Sequence, residues 1–221
     1  MMESDMHKPL WKRRHFNVWA FSAVLAGFYP TTWSKQAPVI LVVGDSISAE
    51  YGLQRGQGWV SLLEQKLQAE HKAVKVVNAS ISGETTAGGR SRLAPLLQQH
   101  QPSVVVIELG GNDALRGLAL TQSEANLIAM AQASQAAGAK VLLLGMQVPP
   151  NYGTDYAQQF EAIYKQTAKA TASRSVPFFL KGIADAADPM KGFQADRIHP
   201  NAQAQPQLLA NMWPELKKLL P

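Results

Sequence analysis

The feature that most constrains this chain is a set of short, unbroken apolar runs separated by segments of helical length. Residues 104–109 are the clearest, with Val104, Val105 and Val106 in succession and Pro102 just ahead. A run too short for a helix and without polar alternation is what a strand buried on both faces looks like. Residues 39–43, 74–77, 141–144 and 176–180 read the same way. Between and after them, helical spacing predicts helices over 59–67, 90–99, 123–137, 156–172 and 202–219, the last with Pro206 and Pro214 as interruptions. Residues 181–198 read as a loop. Strict alternation of strand and helix implies a parallel sheet covered on both faces, a three-layer α/β domain.

The length of 221 residues suits one such domain and leaves little room for a second. There is no cysteine, which excludes thiolate catalysis, cysteine-ligated zinc and a disulfide framework. The first 34 residues stand apart from the alternating pattern. Lys8, Lys12, Arg13 and Arg14 precede an apolar run over residues 18–29, Pro30 breaks it, and Thr32-Trp33-Ser34 offers a small-x-small cleavage site. That order is the order of a secretory signal peptide. The expectation is an exported chain, periplasmic or secreted, with residues 1–34 as signal peptide or uncleaved membrane anchor and residues 35–221 as the folded domain. The formal charge of +5 includes +2 from this segment, which leaves +3 on the remainder with no basic stripe interleaved with aromatics. Nucleic acid is therefore not an expected partner.

Three of the apolar runs lead into polar turns. They are Gly44-Asp45-Ser46-Ile47-Ser48, Ile81-Ser82-Gly83 and Gly110-Gly111-Asn112-Asp113. Ligands of open α/β sheets bind outside the carboxyl ends of the strands, so these turns reach one rim. Five histidines are present, at positions 7, 15, 71, 100 and 199. Only His199 has an acid at a useful spacing, Asp196 three residues before it, close enough on a tight turn to hold the imidazole. Ser46 is then a nucleophile activated by His199, with Asp196 as the orienting acid. The backbone N–H groups of Ser46 and Gly83 and the side-chain amide of Asn112 are the expected oxyanion donors. Gly83 is expected because close backbone approach tolerates no side chain. Asp45 and Asp113 are assigned to holding their own turns, and Ser48 and Ser82 to turn hydroxyls. Gly-x-Ser-x-Gly is absent, since Ser48 occupies its last position, so the nucleophile-elbow hydrolases do not match.

These blocks resemble the SGNH, or GDSL-type, hydrolases, a family named for the Ser, Gly, Asn and His that here are Ser46, Gly83, Asn112 and His199. Asp196 falls at the family's acid position. The stretches at 77–83, 108–117 and 150–153 look like the bacterial thioesterase I/lysophospholipase L1 (arylesterase) branch, and the similarity runs from about residue 38 to the C-terminus. The resemblance implies a flavodoxin-like sheet of five parallel strands. It implies an acyl-enzyme on Ser46 that hydrolyses esters and thioesters of medium to long acyl chains, without metal or cofactor. It also implies that residues 114–120 move over bound acyl chains and that residues 147–153 line an acyl groove. Leu115, Val148, Pro149 and Tyr152 are the expected substrate contacts, although such loop residues could equally just pack their loops onto the sheet. The expected partners are a small-molecule acyl ester or thioester and a membrane-lipid surface, acting on a monomer. Glu50 departs from the glycine usual in that branch, and a carboxylate there is expected near the mouth, where it would bear on leaving-group preference.

Two other classes were weighed. A metal-dependent phosphoesterase needs a cluster of histidines and carboxylates that this chain does not supply. An exported, non-catalytic binding module would not need the full set of reactive residues. Within the hydrolases, a carbohydrate O-acetyl esterase is the neighbouring reading, with short-acyl preference and a polar loop at 147–153.

Overall fold

The computed structural model describes residues 37–220, so the expected export segment at 1–34 lies outside the described residues. Five strands, β1 (Val39–Gly44), β2 (Lys75–Asn78), β3 (Val104–Glu108), β4 (Lys140–Leu144) and β5 (Arg174–Val176), form one sheet. Their order is β2-β1-β3-β4-β5 and every pairing is parallel. This is the flavodoxin-like order, which reverses direction between β1 and β3 and opens a crevice there at the carboxyl ends. β1 and β3 are buried along their whole lengths, as their largely apolar sequences require, with Glu108 at the end of β3 the one buried acid within them.

The helices are α1 (Trp59–Ala69), α2 (Thr86–His100), α3 (Gly111–Leu115), α4 (Leu120–Ala136), α5 (Thr154–Ala170) and α6 (Gln205–Lys217). α2, α4 and α5 pack side by side, and α1 packs with α6. The expected three layers are present. Trp59, Phe160 and Phe179 are the largest side chains removed entirely from solvent. Burial of each contributes on the order of 1.5–3 kcal/mol.

The structure departs from the sequence expectation in four places. The fifth strand is Arg174–Val176 and not residues 176–180, because Pro177 has no N–H to continue the ladder. The chain instead loops past Gly145, which bonds Val176 O and Phe179 N through its own backbone at 2.8 Å each. α2 begins at Thr86, four residues before the expected start, with the Thr85 hydroxyl accepting from Gly88 N at 3.2 Å as a cap. The short α3, expected as a turn, follows β3 directly. Pro206 lies in the first turn of α6, where proline fits, and the helix runs on through Pro214.

Candidate active site

The two ends of the central strands deliver the first components. β1 ends at Gly44, and residues 45–51 form a tight run of turns in which Ala49 N bonds Asp45 O at 2.9 Å. Ser46 stands at the top of this turn, half-buried, at the reversal point of the sheet. β3 ends at Glu108, and Gly110, with φ +120°, bends the chain into α3, which carries Asn112. No residue with a side chain takes that φ readily.

The third component comes from the long loop before α6. Asp196 Oδ1 accepts the backbone N–H groups of Ile198 at 2.9 Å and His199 at 3.0 Å, an aspartate turn that presents the imidazole. Its other oxygen meets His199 Nδ1 at 2.7 Å. His199 Nε2 lies 2.9 Å from Ser46 Oγ. The spacing argument for Asp196 and His199 is thus realised in a continuous chain of contacts. Burial pushes the Asp196 carboxyl upward, but the His199 and Ile198 N–H groups and the imidazole outweigh it and hold it at about 2. Tyr51, unremarked in the sequence, sets its ring 4.4 Å from the imidazole centroid. Its only sequence signal is its place five residues after Ser46.

The three expected oxyanion donors differ. No acceptor within the described residues engages the Ser46 or Gly83 N–H. The Asn112 amide, by contrast, is shared: Nδ2 donates to Asp45 Oδ2 and to Glu84 O, both at 3.0 Å. The backbone adds a second reason for glycine at position 83. A Cβ there would meet only Arg116 Nη2 at 3.6 Å, while its φ of +79° is the further demand. Arg116 Nη2 also donates to Gly83 O at 2.8 Å.

Several assignments to turns need correction. Asp45 does hold its turn, accepting Ile47 N–H at 3.0 Å, yet it also reaches Asn112. Burial raises its pKa to about 6. Asp113 binds beyond its turn: it accepts the Thr86 N–H at 2.9 Å and the Thr86 and Ser123 hydroxyls, tying α3 to α2 and α4. Ser48 is buried and donates to Glu108 Oε2 at 2.7 Å, while Ser82 is exposed.

Glu50 is the clearest correction. Its carboxylate does not reach the mouth. It accepts from Gly56 N at 3.1 Å, Gly58 N at 2.8 Å and Ser61 Oγ at 2.8 Å, closing the loop that leads into α1. Burial raises its pKa, and these three bonds overcome that effect to leave it below the usual range. Its φ of +60° also accounts for a glycine usually standing there.

Beside Ser46, His199 and Asn112 opens a cleft of about 680 Å³, a size typical of small-molecule sites. Leu115, Val148, Pro149 and Tyr152 all line it. More of its wall comes from Met146, Phe160, Phe178 and Leu180, none of which the sequence singled out. Leu118 is exposed and does not line it. A second hollow of about 430 Å³, bounded by Gly182, Asp188 and Gln203, touches none of the three. Among the described residues, no three His, Asp or Glu side chains converge as a metal's ligand set.

Known proteins are similar to this chain in sequence and fold. Residues 42–205 match the sequence profile of the GDSL-like Lipase/Acylhydrolase family. The chain is 53% identical to the Esterase TesA of Pseudomonas aeruginosa over 189 residues, 86% of this chain and 92% of that protein. It is 42% identical to the Thioesterase 1/protease 1/lysophospholipase L1 of Escherichia coli K12, over 83% of this chain and 86% of that one. A crystal structure of TesA superposes with a TM-score of 0.79 at 54% identity, covering 82% of this chain and 99% of that one. A psychrotrophic esterase EstA from Pseudoalteromonas, inhibited by monoethylphosphonate, gives 0.76 at 42% identity, covering 81% and 97%. With the profile spanning most of the chain and a relative more than half identical over nearly its full length, this chain belongs to the GDSL-like lipase/acylhydrolase family.

Proposed function

We propose that this protein is a serine esterase and thioesterase acting on medium to long acyl chains through an acyl-enzyme on Ser46. The observation that carries this reading is the run Asp196 Oδ2–His199 Nδ1–Nε2–Ser46 Oγ, at 2.7 and 2.9 Å, opening onto an apolar cleft of about 680 Å³. His199 Nε2 takes the Ser46 hydroxyl proton as Oγ attacks the substrate carbonyl. Asp196 holds Nδ1–H and balances the imidazolium charge. The carbonyl oxygen, now negative, receives the free N–H groups of Ser46 and Gly83, and Asn112 adds a donor that it shares with Asp45 and Glu84.

Collapse expels the alcohol or thiol, which leaves with the proton from Nε2. Water then attacks the acyl carbon as it loses a proton to the same nitrogen, and collapse breaks the C–Oγ bond, releasing the acid while Nε2 returns the proton to Ser46 Oγ. General-base transfer of this sort contributes about 10²–10⁴-fold, and an unshared oxyanion donor about 2.7–4 kcal/mol. Leu115, Val148, Pro149 and Tyr152 grip the acyl chain. The names of the relatives, an esterase, a thioesterase/lysophospholipase and an arylesterase from Vibrio mimicus, point to the same bonds.

The reading extends to place and partner. Residues 1–34 direct export and residues 35–221 form the hydrolase domain, a monomer that meets acyl substrates at a lipid surface. Leu115, Met190 and Ile198 are exposed large apolar groups on the cleft lining, which suits such a surface.

The test is hydrolysis of p-nitrophenyl esters from acetyl to palmitoyl by wild type and Ser46→Ala, with EDTA present. Turnover that peaks at medium or long chains and falls by about 10⁴-fold or more in Ser46→Ala is expected. A peak confined to acetate would replace the lipid-type reading with a carbohydrate O-acetyl esterase. No turnover from folded wild type would leave a binding module.

A further inference from the structure

Below the Ser46 turn lies an acid that the mechanism above does not use. Glu108 is the last residue of β3, pairs with Gly44 across the parallel ladder, and has no solvent exposure. Its Oε2 accepts from Ser48 Oγ at 2.7 Å and from Asp45 N at 3.3 Å. Ser48 Oγ in turn accepts from Trp59 Nε1 at 3.2 Å. Glu108 therefore grips both ends of the residues that bracket Ser46. Gly44 makes room for this contact: a Cβ there would stand 2.7 Å from Ser48 Oγ and 2.9 Å from Glu108 Oε2.

The second oxygen, Oε1, is buried and receives no N–H or O–H from the described residues. Glu108 and Asp45 are joined by the Asp45 N–H to Oε2 bond, which brings two acids together in the interior. Two buried carboxylates so placed, with no Lys or Arg bonded to either among the described residues, disfavour each other's charge. Burial first, and then the Asp45 charge, hold the Glu108 carboxyl well above the usual range. The other ionisable group in this surround is Tyr164 of α5, itself held protonated by burial. On the far side Asp45 feels the charge of His199. Asp45 has two more bonds to distribute, Ile47 N–H to Oδ1 and Asn112 Nδ2 to Oδ2, both at 3.0 Å.

We infer that Glu108 is a positioning residue: through its contact with Asp45 it fixes the carboxylate that orients the Asn112 amide, and so aligns the oxyanion site with the Ser46 turn. The inference rests on the proposed oxyanion role of Asn112. Glu108 touches no reacting atom. Its effect belongs in the transition state, because a misplaced amide loses charge stabilisation there while ground-state acyl binding is left alone. A buried acid costs stability, and an apolar residue would fill the same space without polar groups to satisfy.

The experiment is a double-mutant cycle between Glu108→Ala and Asn112→Ala, with kcat and KM on a p-nitrophenyl ester expressed per site titratable by an aryl phosphonate. Glu108→Ala should lower kcat by about 10- to 100-fold with KM within about twofold, part of the roughly 10²–10³-fold worth of an oxyanion donor. In the Asn112→Ala background the same change should cost no more than about twofold, because the two act as one unit. Glu108→Gln, which keeps an acceptor for the Ser48 hydroxyl and the Asp45 N–H, should recover most of the loss.

An undiminished Glu108→Ala loss in the Asn112→Ala background overturns the inference and leaves the oxyanion reading standing. So does a Glu108→Ala kcat within about twofold of wild type, or a Glu108→Gln variant as poor as Glu108→Ala. If Asn112→Ala alone leaves kcat unchanged, the oxyanion reading falls and the inference falls with it. Should Glu108→Ala not fold, Ser48→Ala removes one support of the same carboxyl and takes its place in the cycle, with about a threefold to tenfold loss expected.

Discussion

Two aspartates flank the same catalytic group, one beside Asn112 and one beside His199, and their surroundings give them opposite characters. Asp45 is 3% exposed on the turn after β1, pressed against Glu108, and burial raises its pKa to about 6. Asp196 sits in an open turn of the C-terminal loop, where backbone donors hold its pKa at about 2 despite the pull of burial. A triad acid has to stay ionised through the catalytic cycle and to face Nδ1. Only Asp196 does both. Asp45 instead belongs to the wall that aligns the amide and the nucleophile turn. Carboxylates of one site are thus sorted by environment as well as by what they touch.

The largest test of this contrast is kinetic. Asp196→Ala should lower kcat by about 10³–10⁴-fold. Its Tm should fall only modestly, since the two backbone N–H groups it accepts lie in an exposed turn where water can replace it. Asp45→Ala should do the reverse in proportion, lowering kcat by about 10- to 100-fold while leaving the Ile47 N–H unpaired, at about 1–3 kcal/mol. Thermal unfolding beside steady-state assays reads both. A larger kcat loss in Asp45→Ala than in Asp196→Ala would exchange the two roles.

A second test is the pH dependence of stability. A carboxyl raised in the folded state gives stability that is full below its unfolded pKa, near 3.8, and is lost as pH rises through about 6. A depressed carboxyl gives stability present above about pH 4 and lost as pH falls through about 2. Urea unfolding from pH 2 to 8 should therefore show Asp45→Asn flattening the window between about 4 and 6, and Asp196→Asn the window between about 2 and 4. Identical slopes in the two variants would dissolve the distinction.

The smallest effect sharpens the contrast with a third acid. Glu50→Gly relieves the positive φ but removes three hydrogen bonds from the loop before α1. The expected net is a destabilisation of about 1 kcal/mol, read as a lower urea midpoint. The ratio of kcat/KM for aryl and alkyl leaving groups should stay within about twofold of wild type. A shifted ratio would bring the Glu50 carboxylate back to the mouth.

The sheet was legible in the chain because buried parallel strands must be apolar on both faces. β1 and β3 were therefore placed almost to the residue. β5 was not, because its edge position lets Arg174 and Ser175 into the strand, while the apolar residues after Pro177 pack the core without pairing. α2 was read short because Gly88 and Gly89 weaken the helical signal that the Thr85 cap restores. The contact of Asp196, His199 and Ser46 was foreseeable from local spacing and strand ends. The cleft wall was not: Phe160 and Phe178 are apolar at core spacing, and a groove uses the same residues as a core. Glu108 was hidden for a related reason, reading as the tail of an apolar strand. Glu50 was misplaced because a carboxylate near a serine suggests chemistry, whereas its backbone angle and loop bonds give it a structural task.

Gly44 brings one further consequence. The opening letter of the motif around Ser46 is usually taken as a turn residue, yet its φ is not in the left-handed region, and what it supplies is an empty volume. That volume is claimed by an acid and a hydroxyl, one from the neighbouring strand. The glycine is thus half of a sentence completed 64 residues later, at Glu108. Trimming the acid alone would not free the position for alanine, because Ser48 Oγ and Cβ would still stand 2.7 and 2.8 Å from the new Cβ.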